Sequence, residues 1–508
     1  MTLTTYDETL CKMIEPNVCS TRRRFETLQI LRSNGIPTVV WFTPLLPFIN
    51  DTAENVRGIL SYCQEAGVYG VICFGIGVTL REGDREYFYE ALDKHFPGIK
   101  NKYINMVKMK YLMGMAFCAA LISCSEVKKE FIEENVEFAH KQIGNEIKLI
   151  EASGKFMNPT TLNSDGSVYY CNLTDWRSGF FPGSIWYLYE LTGDKTLLPI
   201  ARKYTEEVKD AKNITWNHDV GFMIYCSFGN GLRLTGDEEY KNVIVEAARS
   251  LSTRFRPVAG IIQSWNVDRG WISERGWECP VIIDNMMNLE LLFAATKLSG
   301  DSTFYKIAVS HVDRTIKEQY RPDGSCYHVV DYSMENGSVR FRHTAQGYAH
   351  ESAWSRGQAW GIYGLTLCYR ETGDRKYLDQ ALKSIHFMFT HKNTPDDFIF
   401  YWDMDAPNIP NDYRDASAAA CIASALYEIT TMGVSEPQTY KAYADRIMES
   451  LASSAYRAEL GKNGNFLLMH CVGSIPHNGE IDVPLNYADY YFLEALKRKR
   501  DIEKLYNS

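Results

Sequence analysis

The chain has 508 residues, 45% of them apolar and 23% charged, which predicts two or more globular domains rather than a disordered chain. A net charge of −9 argues against broad nucleic-acid binding, which needs a basic face, but one local cluster of Arg and His could still bind an anionic sugar. The thirteen cysteines form no CxxC pair and no cluster with metal-ligand spacing, so we expect no metal, no other cofactor and no disulfide framework.

Residues 1–105 predict a partial α/β segment. Between residues 35 and 75 a β-branched run, a turn, a helical stretch and a second apolar run follow one another, as in a βαβ unit of a parallel sheet. The segment resembles the C-terminal half of a spore-photolyase-like radical SAM protein, a half barrel. The cluster-binding CxxxCxxC motif of that family is absent, since Cys11 and Cys19 are too far apart. We therefore expect a non-functional fragment, which entered the chain through either a gene fusion or a misjoined reading frame.

Residues 106–124 predict a secretory signal inside the chain. Residues 106–110 carry positive charge on Lys108 and Lys110, and the stretch from Leu112 to Ile122 is almost wholly apolar. Leu121-Ile122-Ser123-Cys124 then resembles a bacterial lipobox. The apolar run is too short for a membrane span, which needs ~20 residues. If translation starts near Met106, we expect a periplasmic or outer-membrane-anchored lipoprotein whose membrane contact is a lipid on Cys124. A buried core helix is the alternative.

Residues 125–508 predict an all-α domain of helical hairpins. A Gly-Asp pair recurs after an apolar helical stretch, at 193–194, 236–237, 300–301 and 373–374, with a degenerate copy near Gly433. Gly suits the left-handed position that ends a helix, and Asp suits the N-cap of the next helix. With a first hairpin near 125–165 and a last one near 440–500, six pairs would close into an (α/α)6 barrel. An open superhelix of hairpins is the alternative.

The long connections between hairpins should meet at the end of the barrel opposite the tight turns, where function usually lies. They carry aromatic, carboxylate, imidazole and guanidinium groups, as a site for an anionic sugar would. These residues are Trp176, His218, Asp219, Trp265, Asp284, His328, Gln346, Arg356, Gln358 and Trp360.

Several blocks in this part of the chain resemble glycoside hydrolase family 88, in the family's order over nearly all of 165–500. They read HDxGF, IIDxxMNL, WxRGQAWGIYG, YWDMDAP, YRDASAAA and YADYYFLEAL. The resemblance implies an (α/α)6 hydrolase that removes the 4,5-unsaturated uronic acid from the non-reducing end of lyase-generated oligosaccharides. Unsaturated rhamnogalacturonyl hydrolases share that fold. A polysaccharide lyase and a glycan-binding surface lipoprotein are further alternatives.

The resemblance implies that Asp284 is the catalytic acid and base. It protonates C4 of the unsaturated uronate, and as an anion it then takes a proton from the water that adds to C5, so no second carboxylate at fixed separation is needed. Asp284 follows three apolar residues, so burial should raise its pKa. The alternative is that Asp284 only caps a helix.

The other roles also follow from the resemblance. Asp219 would bind sugar hydroxyls and keep Asp284 protonated, or else serve as an N-cap. His218, His328 and Gln346 would contact the uronate and the attacking water. Arg356 would bind the carboxylate through two parallel hydrogen bonds, or else form a structural ion pair. Trp176, Trp265 and Trp360 would be stacking walls or core residues.

The loop before the last helix bears on the substrate. It carries Ser474, His477 and Gly479, whereas some family members have a second Ser and a Lys at the latter two positions, where these resemble a sulfate-binding motif. The missing Lys argues against a strong preference for 6-sulfated hexosamine. His477 could partly replace that Lys.

Overall fold

The structure is a computed structural model, and it describes residues 1–42, 46, 49–72, 84–100 and 131–507. The predicted signal segment 106–124, including Cys124, lies outside the described residues. The chain divides into two compact units, residues 1–128 and 129–508. In the part of the chain that the structure describes, no helix combines the length and the apolar character needed to cross a membrane.

The first unit is a small α/β segment. Its elements are α1 (Glu8–Ile14), α2 (Thr21–Ser33), β1 (Val39–Trp41), α3 (Ala53–Ala66), β2 (Gly70–Ile72) and α4 (Asp84–His95). β1 and β2 pair in parallel, so β1, α3 and β2 form the βαβ unit predicted from the sequence. Phe25, Leu28, Val40 and Ile59 are buried at the centre of this unit.

The second unit consists of two concentric sets of helices. The outer set is α5 (131–153), α7 (Leu197–Glu207), α10 (Glu238–Ser252), α12 (Ser302–Gln319), α14 (Arg375–Thr390) and α16 (Pro437–Leu451). The inner set is α6 (Phe180–Thr192), α8 and α9 (Val220–Ile224 and Asn230–Thr235, joined by a π-helical turn), α11 (Asn285–Ser299), α13 (Ser355–Thr372), α15 (Ala416–Ile429) and α17 (Asn486–Asn507).

The inner helices close into a ring. Each packs on the next one along the chain, and α17 packs on α6. The side chains between the two sets form one continuous apolar core, which includes Trp186, Met286, Leu426 and Phe492. The predicted (α/α)6 barrel is confirmed, and the open superhelix is excluded.

The tight turns of the barrel lie where the Gly-Asp pairs predict them. Gly193, Gly236, Gly300 and Gly373 end inner helices with φ of 68°, 69°, 77° and 70°, in the left-handed region that a residue without Cβ adopts most easily. Asp237, Asp301 and Asp374 then cap the next outer helix through their side chains.

Asp194 differs from the prediction, because it is not the N-cap of α7. That helix begins at Leu197 and has Thr196 as its N-cap residue. The Asp194 carboxylate still accepts hydrogen bonds from the backbone N–H and the hydroxyl of Thr196, at 2.9 and 2.7 Å. It stabilises the turn two residues before the helix instead of the helix itself.

Short strands lie in the long connections at the other end of the barrel. They are β3 (Asn158–Leu162), β4 (Val168–Cys171), β5 (Phe255–Arg256), β6 (Ile261–Ile262), β7 (Pro280–Ile282), β8 (Val329–Tyr332), β9 (Val339–His343), β10 (Cys471–Ser474) and β11 (Gly479–Val483). They pair antiparallel, and β7, β8 and β9 form one sheet. These pairings give the loops at this end a defined backbone. At the tight-turn end, a cavity of about 410 Å³ lies between the inner helices.

Candidate active site

The predicted site residues converge where the inner helices begin. Asp219 and Asp284 directly precede α8 and α11, and Arg356 is the second residue of α13. Asp415 directly precedes α15, and Tyr487 is the second residue of α17. Because these helices form one closed ring, their N-terminal ends surround a common mouth.

Asp284 is a buried carboxyl that strand β7 brings to this mouth. Its residue is only 8% exposed, and Oδ2 has no hydrogen-bond partner among the described residues. Burial raises the pKa of Asp284 to about 7, although the positive charge of Arg356 opposes the shift. The side chain makes no capping bond to α11 within the described ranges. Its carboxyl is therefore available to a ligand rather than used as a helix cap.

Asp219 is a second buried carboxyl that interacts with the first. Burial is the larger cause and the charge of Asp284 the smaller one, and together they raise the pKa of Asp219 to about 8. Its Oδ1 lies 3.3 Å from Nε2 of His218 and 3.5 Å from the amide nitrogen of Asn288. Burial also lowers the pKa of His218 to about 3, so this imidazole is neutral. Two buried carboxyls that repel each other hold at least one proton near neutral pH.

His328 presents one defined nitrogen to Asp284. Its Nδ1 accepts hydrogen bonds from the backbone N–H groups of Ala345 and Gln346, at 3.0 and 3.1 Å. Burial lowers the pKa of His328 far below its usual value, so the ring is neutral and its proton must be on Nε2. Nε2 lies 3.8 Å from Oδ2 of Asp284, and neither atom has a hydrogen-bond partner in the described part of the chain. A water or substrate oxygen could bind between them.

Arg356 lies close to these carboxyls, but protein groups already occupy much of its guanidinium. Nη1 donates to Asp415 at 3.0 Å and to the carbonyl of Val472, and Nη2 donates to the carbonyl of Gly473 at 2.5 Å. The structure thus contains the buried ion pair that was the alternative for this residue. These contacts favour the structural ion pair over direct binding of a uronate, and the two roles predict different kinetics for Arg356→Lys.

The three tryptophans differ in exposure. Trp176 and Trp265 are half-buried, and Trp265 lies 6.3 Å from the ring of His328. Trp360 is fully buried, and its ring packs on Phe222 inside the barrel. Its indole N–H lies near Asp284 and lowers the pKa of that carboxyl. The N–H has no hydrogen-bond partner among the described residues. Trp360 is therefore a core residue and not a stacking wall.

Ser474 and His477 lie on β10 and in the turn after it, and Gln346, in the loop after β9, contacts β10. The side-chain amide of Gln346 donates to the carbonyl of Gly473 at 3.1 Å. Oγ of Ser474 and Nδ1 of His477 are 2.7 Å apart. The ring of His477 lies 4.8 Å from that of Trp271. Ser474 is half-buried and His477 is exposed, so these two residues lie on the outer rim of the mouth.

Sequence reasoning missed three residues here. Asp415 lies in the YRDASAAA block, but the sequence does not indicate that it pairs with Arg356. Asn288 contacts Asp219, which is 69 residues away, and no sequence spacing indicates that contact. Arg275 lies over Trp271, in a loop without any sequence motif. Among the described residues no cluster of His, Cys, Asp or Glu could hold a metal ion.

Comparison with known proteins agrees with this geometry. The family model Glycosyl Hydrolase Family 88 matches residues 151–502. An unsaturated glucuronyl hydrolase of Formosa agariphila is 42% identical over 405 residues, which cover 78% of this chain and 99% of that protein. An unsaturated chondroitin disaccharide hydrolase of Streptococcus agalactiae is 31% identical, over 74% of this chain and 98% of its own length.

Solved structures give the same result. The crystal structure of an unsaturated glucuronyl hydrolase specific for heparin has a TM-score of 0.70 and 42% identity, and the match covers 74% of this chain and 98% of that one. The unsaturated glucuronyl hydrolase of Bacillus sp. GL1 has a TM-score of 0.65 and 29% identity, over 72% and 96%. The chain therefore belongs to glycoside hydrolase family 88.

Proposed function

We propose that this chain is an unsaturated glucuronyl hydrolase, which removes the 4,5-unsaturated uronic acid from the non-reducing end of oligosaccharides made by polysaccharide lyases. The observation that carries the proposal is the buried carboxyl of Asp284, with a pKa of about 7 and one unpartnered oxygen among the described residues. Such a group is partly protonated at neutral pH and can give its proton to carbon. The similarity to unsaturated glucuronyl hydrolases over nearly their whole length supports it.

The chemistry needs one group that gives a proton and then takes one back. Asp284 donates its proton to C4, the C4=C5 electron pair becomes the new C–H bond, and positive charge develops at C5 beside the ring oxygen. Water adds to C5, and the Asp284 carboxylate takes its proton. The resulting hemiketal opens and releases the rest of the sugar chain. Asp284 ends the cycle protonated, as it began, and no covalent enzyme intermediate forms.

The neighbours of Asp284 would supply position rather than charge. His328 is neutral and fixed as the Nε2–H tautomer, so it can donate a hydrogen bond to the attacking water or to the substrate. Asp219 holds its proton to a higher pH than Asp284, so it can bind a sugar hydroxyl without adding a second negative charge beside the uronate. His218 and Gln346 complete the polar wall, and Trp176 and Trp265 offer half-buried ring faces to the sugar.

The substrate is expected to be of the glycosaminoglycan type. One relative is described as specific for heparin, and others are chondroitin disaccharide hydrolases. An unsaturated rhamnogalacturonide is the alternative substrate. Export by residues 106–124, with a lipid on Cys124, is also part of the proposal and rests on the sequence pattern alone.

An absorbance assay tests the reaction. The conjugated C4=C5 bond absorbs in the ultraviolet, so hydration of an unsaturated disaccharide from heparin or chondroitin should bleach that band. Asp284→Asn should retain less than a few per cent of the rate, because the amide keeps the shape but cannot transfer protons. Asp301→Asn is the matched control, since Asp301 caps α12 at the opposite end of the barrel and should keep the wild-type rate.

The same assay separates the rival functions. A lyase would increase the absorbance on an intact polymer, and a glycan-binding protein would leave every band unchanged. An Asp284→Asn variant with substantial activity would remove Asp284 as the acid and base. Bleaching of a rhamnogalacturonide but of neither glycosaminoglycan fragment would replace the substrate class and leave the reaction in place.

A further inference from the structure

A row of aromatic rings leads outward from the catalytic carboxyl. His328, which faces Asp284, lies 6.3 Å from the ring of Trp265. Trp265 in turn lies 5.2 Å from Trp271 and 6.0 Å from Trp277, and the pair with Trp277 is stacked. Trp277 is buried, so a sugar chain whose terminal uronate reaches Asp284 would lay its next unit along the accessible rings of Trp265 and Trp271.

Arg275 lies at the outer end of this row. Its guanidinium carbon is 5.4 Å from the ring centre of Trp271 and 5.6 Å from that of Trp277, so the aromatic faces hold it by cation–π attraction. Its side chain is exposed, and it forms no ion pair or hydrogen bond with any residue in the described ranges. The N–H groups at the guanidinium edge are therefore free to bind an anion.

The full positive charge at this rim belongs to Arg275. His477 is nearby, but burial and the charge of Arg275 both lower its pKa, so its ring is neutral near neutral pH. Glu278 follows Arg275 in sequence and is paired with Arg340. Glu480 follows His477 in sequence and is paired with Arg177. The rim thus combines a cation that is unpaired among the described residues with the neutral His477–Ser474 pair, which keeps one free donor.

We propose that Arg275 binds an anionic substituent of the sulfate type on the sugar that follows the unsaturated uronate. The guanidinium edge matches two oxygens of such a group, and the rings of Trp271 and Trp277 fix its direction. The His477–Ser474 pair can add one hydrogen bond, which comes from Nε2–H of His477 when the Ser474 hydroxyl donates to Nδ1. This inference rests on the proposed function, and it assigns Arg275 as a specificity-determining residue.

Two unsaturated disaccharides that differ only in one sulfate on the second sugar test the proposal. The wild-type protein should have the higher kcat/KM on the sulfated one. Arg275→Ala should lower the sulfated-to-unsulfated ratio of kcat/KM by about ten-fold or more, as expected for the loss of a charge-assisted contact. Arg275→Lys should recover part of the ratio, since it keeps the charge and loses the planar edge. Arg269→Ala is the control, because Arg269 is exposed in the same loop and lies beside Asp268.

The outcomes separate this proposal from the proposed function. If neither disaccharide is bleached by the wild-type protein, the proposed function fails first. If both are bleached but the ratio is the same in wild type and Arg275→Ala, the function stands and the role of Arg275 is overturned. Equal losses in Arg269→Ala and Arg275→Ala would also overturn it, because they would indicate a general effect of loop charge.

Discussion

Burial at the start of an inner helix is the main reason why the pKa values of Asp284 and Asp219 are raised. Asp284 has the lower pKa of the two, about 7, since the charge of Arg356 partly offsets the burial, whereas Asp219 reaches about 8. Asp284 therefore ionises first as the pH rises. This order leaves Asp284, the proposed catalytic group, titratable in the neutral range, while Asp219 stays protonated.

The order of ionisation predicts the pH dependence of the rate. The reaction needs protonated Asp284, so kcat/KM on an unsaturated disaccharide should fall as the pH rises through about 7 and should drop ten-fold for each further unit. The measurement is a kcat/KM profile between pH 5 and 9. A profile that stays flat to pH 9 would mean that another group supplies the proton.

Stability gives an independent check on the same pKa shift. Both folded-state pKa values lie above the usual value of 3.8, so the folded protein binds more protons, and this contribution to stability is lost progressively as the pH rises from that value to about 7 to 8. Asp284→Asn removes the cost of a buried charge. Its gain in Tm over the wild type should therefore be larger at pH 8 than at pH 5.

The hydrogen bonds of Arg356 predict the effect of replacing it by Lys. Lys at this position keeps the charge but cannot donate at once to Asp415, Val472 and Gly473. We expect Arg356→Lys to melt earlier and to lose kcat/KM about equally on the unsaturated acid and on its methyl ester, because β10 loses its support. Kinetics on both substrates, beside a thermal melt, measure this. A loss confined to the acid, with an unchanged melt, would instead assign Arg356 to the uronate.

At the scale of elements, the turns were predictable and the loops were not. A Gly in the left-handed region and an Asp at an N-cap are local requirements, so Gly300 and Asp301 could be identified from four residues of sequence. The βαβ unit near the N-terminus was equally local. Asp194 is not the N-cap that its sequence pattern predicts, because α7 begins at Leu197. Leu197 is buried in the core, and this tertiary contact is not visible in the local sequence.

The missed partners of Arg356 lie in distant parts of the chain. Arg356 and Asp415 are 59 residues apart, and Arg356 and Val472 are 116 apart. No periodicity or spacing encodes such pairs. The conserved order of the family blocks placed Asp284 correctly at a helix start, but the burial of Trp360 and the cation–π position of Arg275 follow only from packing.

At the scale of the whole molecule, the two compact units predict independence. The family match, residues 151–502, lies within the second unit, and one relative aligns with this chain over 99% of its own length. Residues 125–508 alone should therefore fold cooperatively and keep full activity, whereas residues 1–105 alone should have none. Activity and thermal melts of the truncated chain and of the full chain measure this. Loss of activity on removing 1–105 would contradict the proposal that this segment is a non-functional fragment.

The contact between α17 and α6 has a consequence for how the protein is made. Stacked repeat arrays can fold from one end while the other is still being synthesised. In a closed ring, the mouth also needs residues from the last helix, since Tyr487 of α17 lies 5.1 Å from Trp176 and 5.5 Å from the guanidinium of Arg356. A nascent chain that still lacks residues 486–507 has five inner helices and an open gap. On the ribosome, a sugar-binding mouth therefore forms only after α17 has emerged.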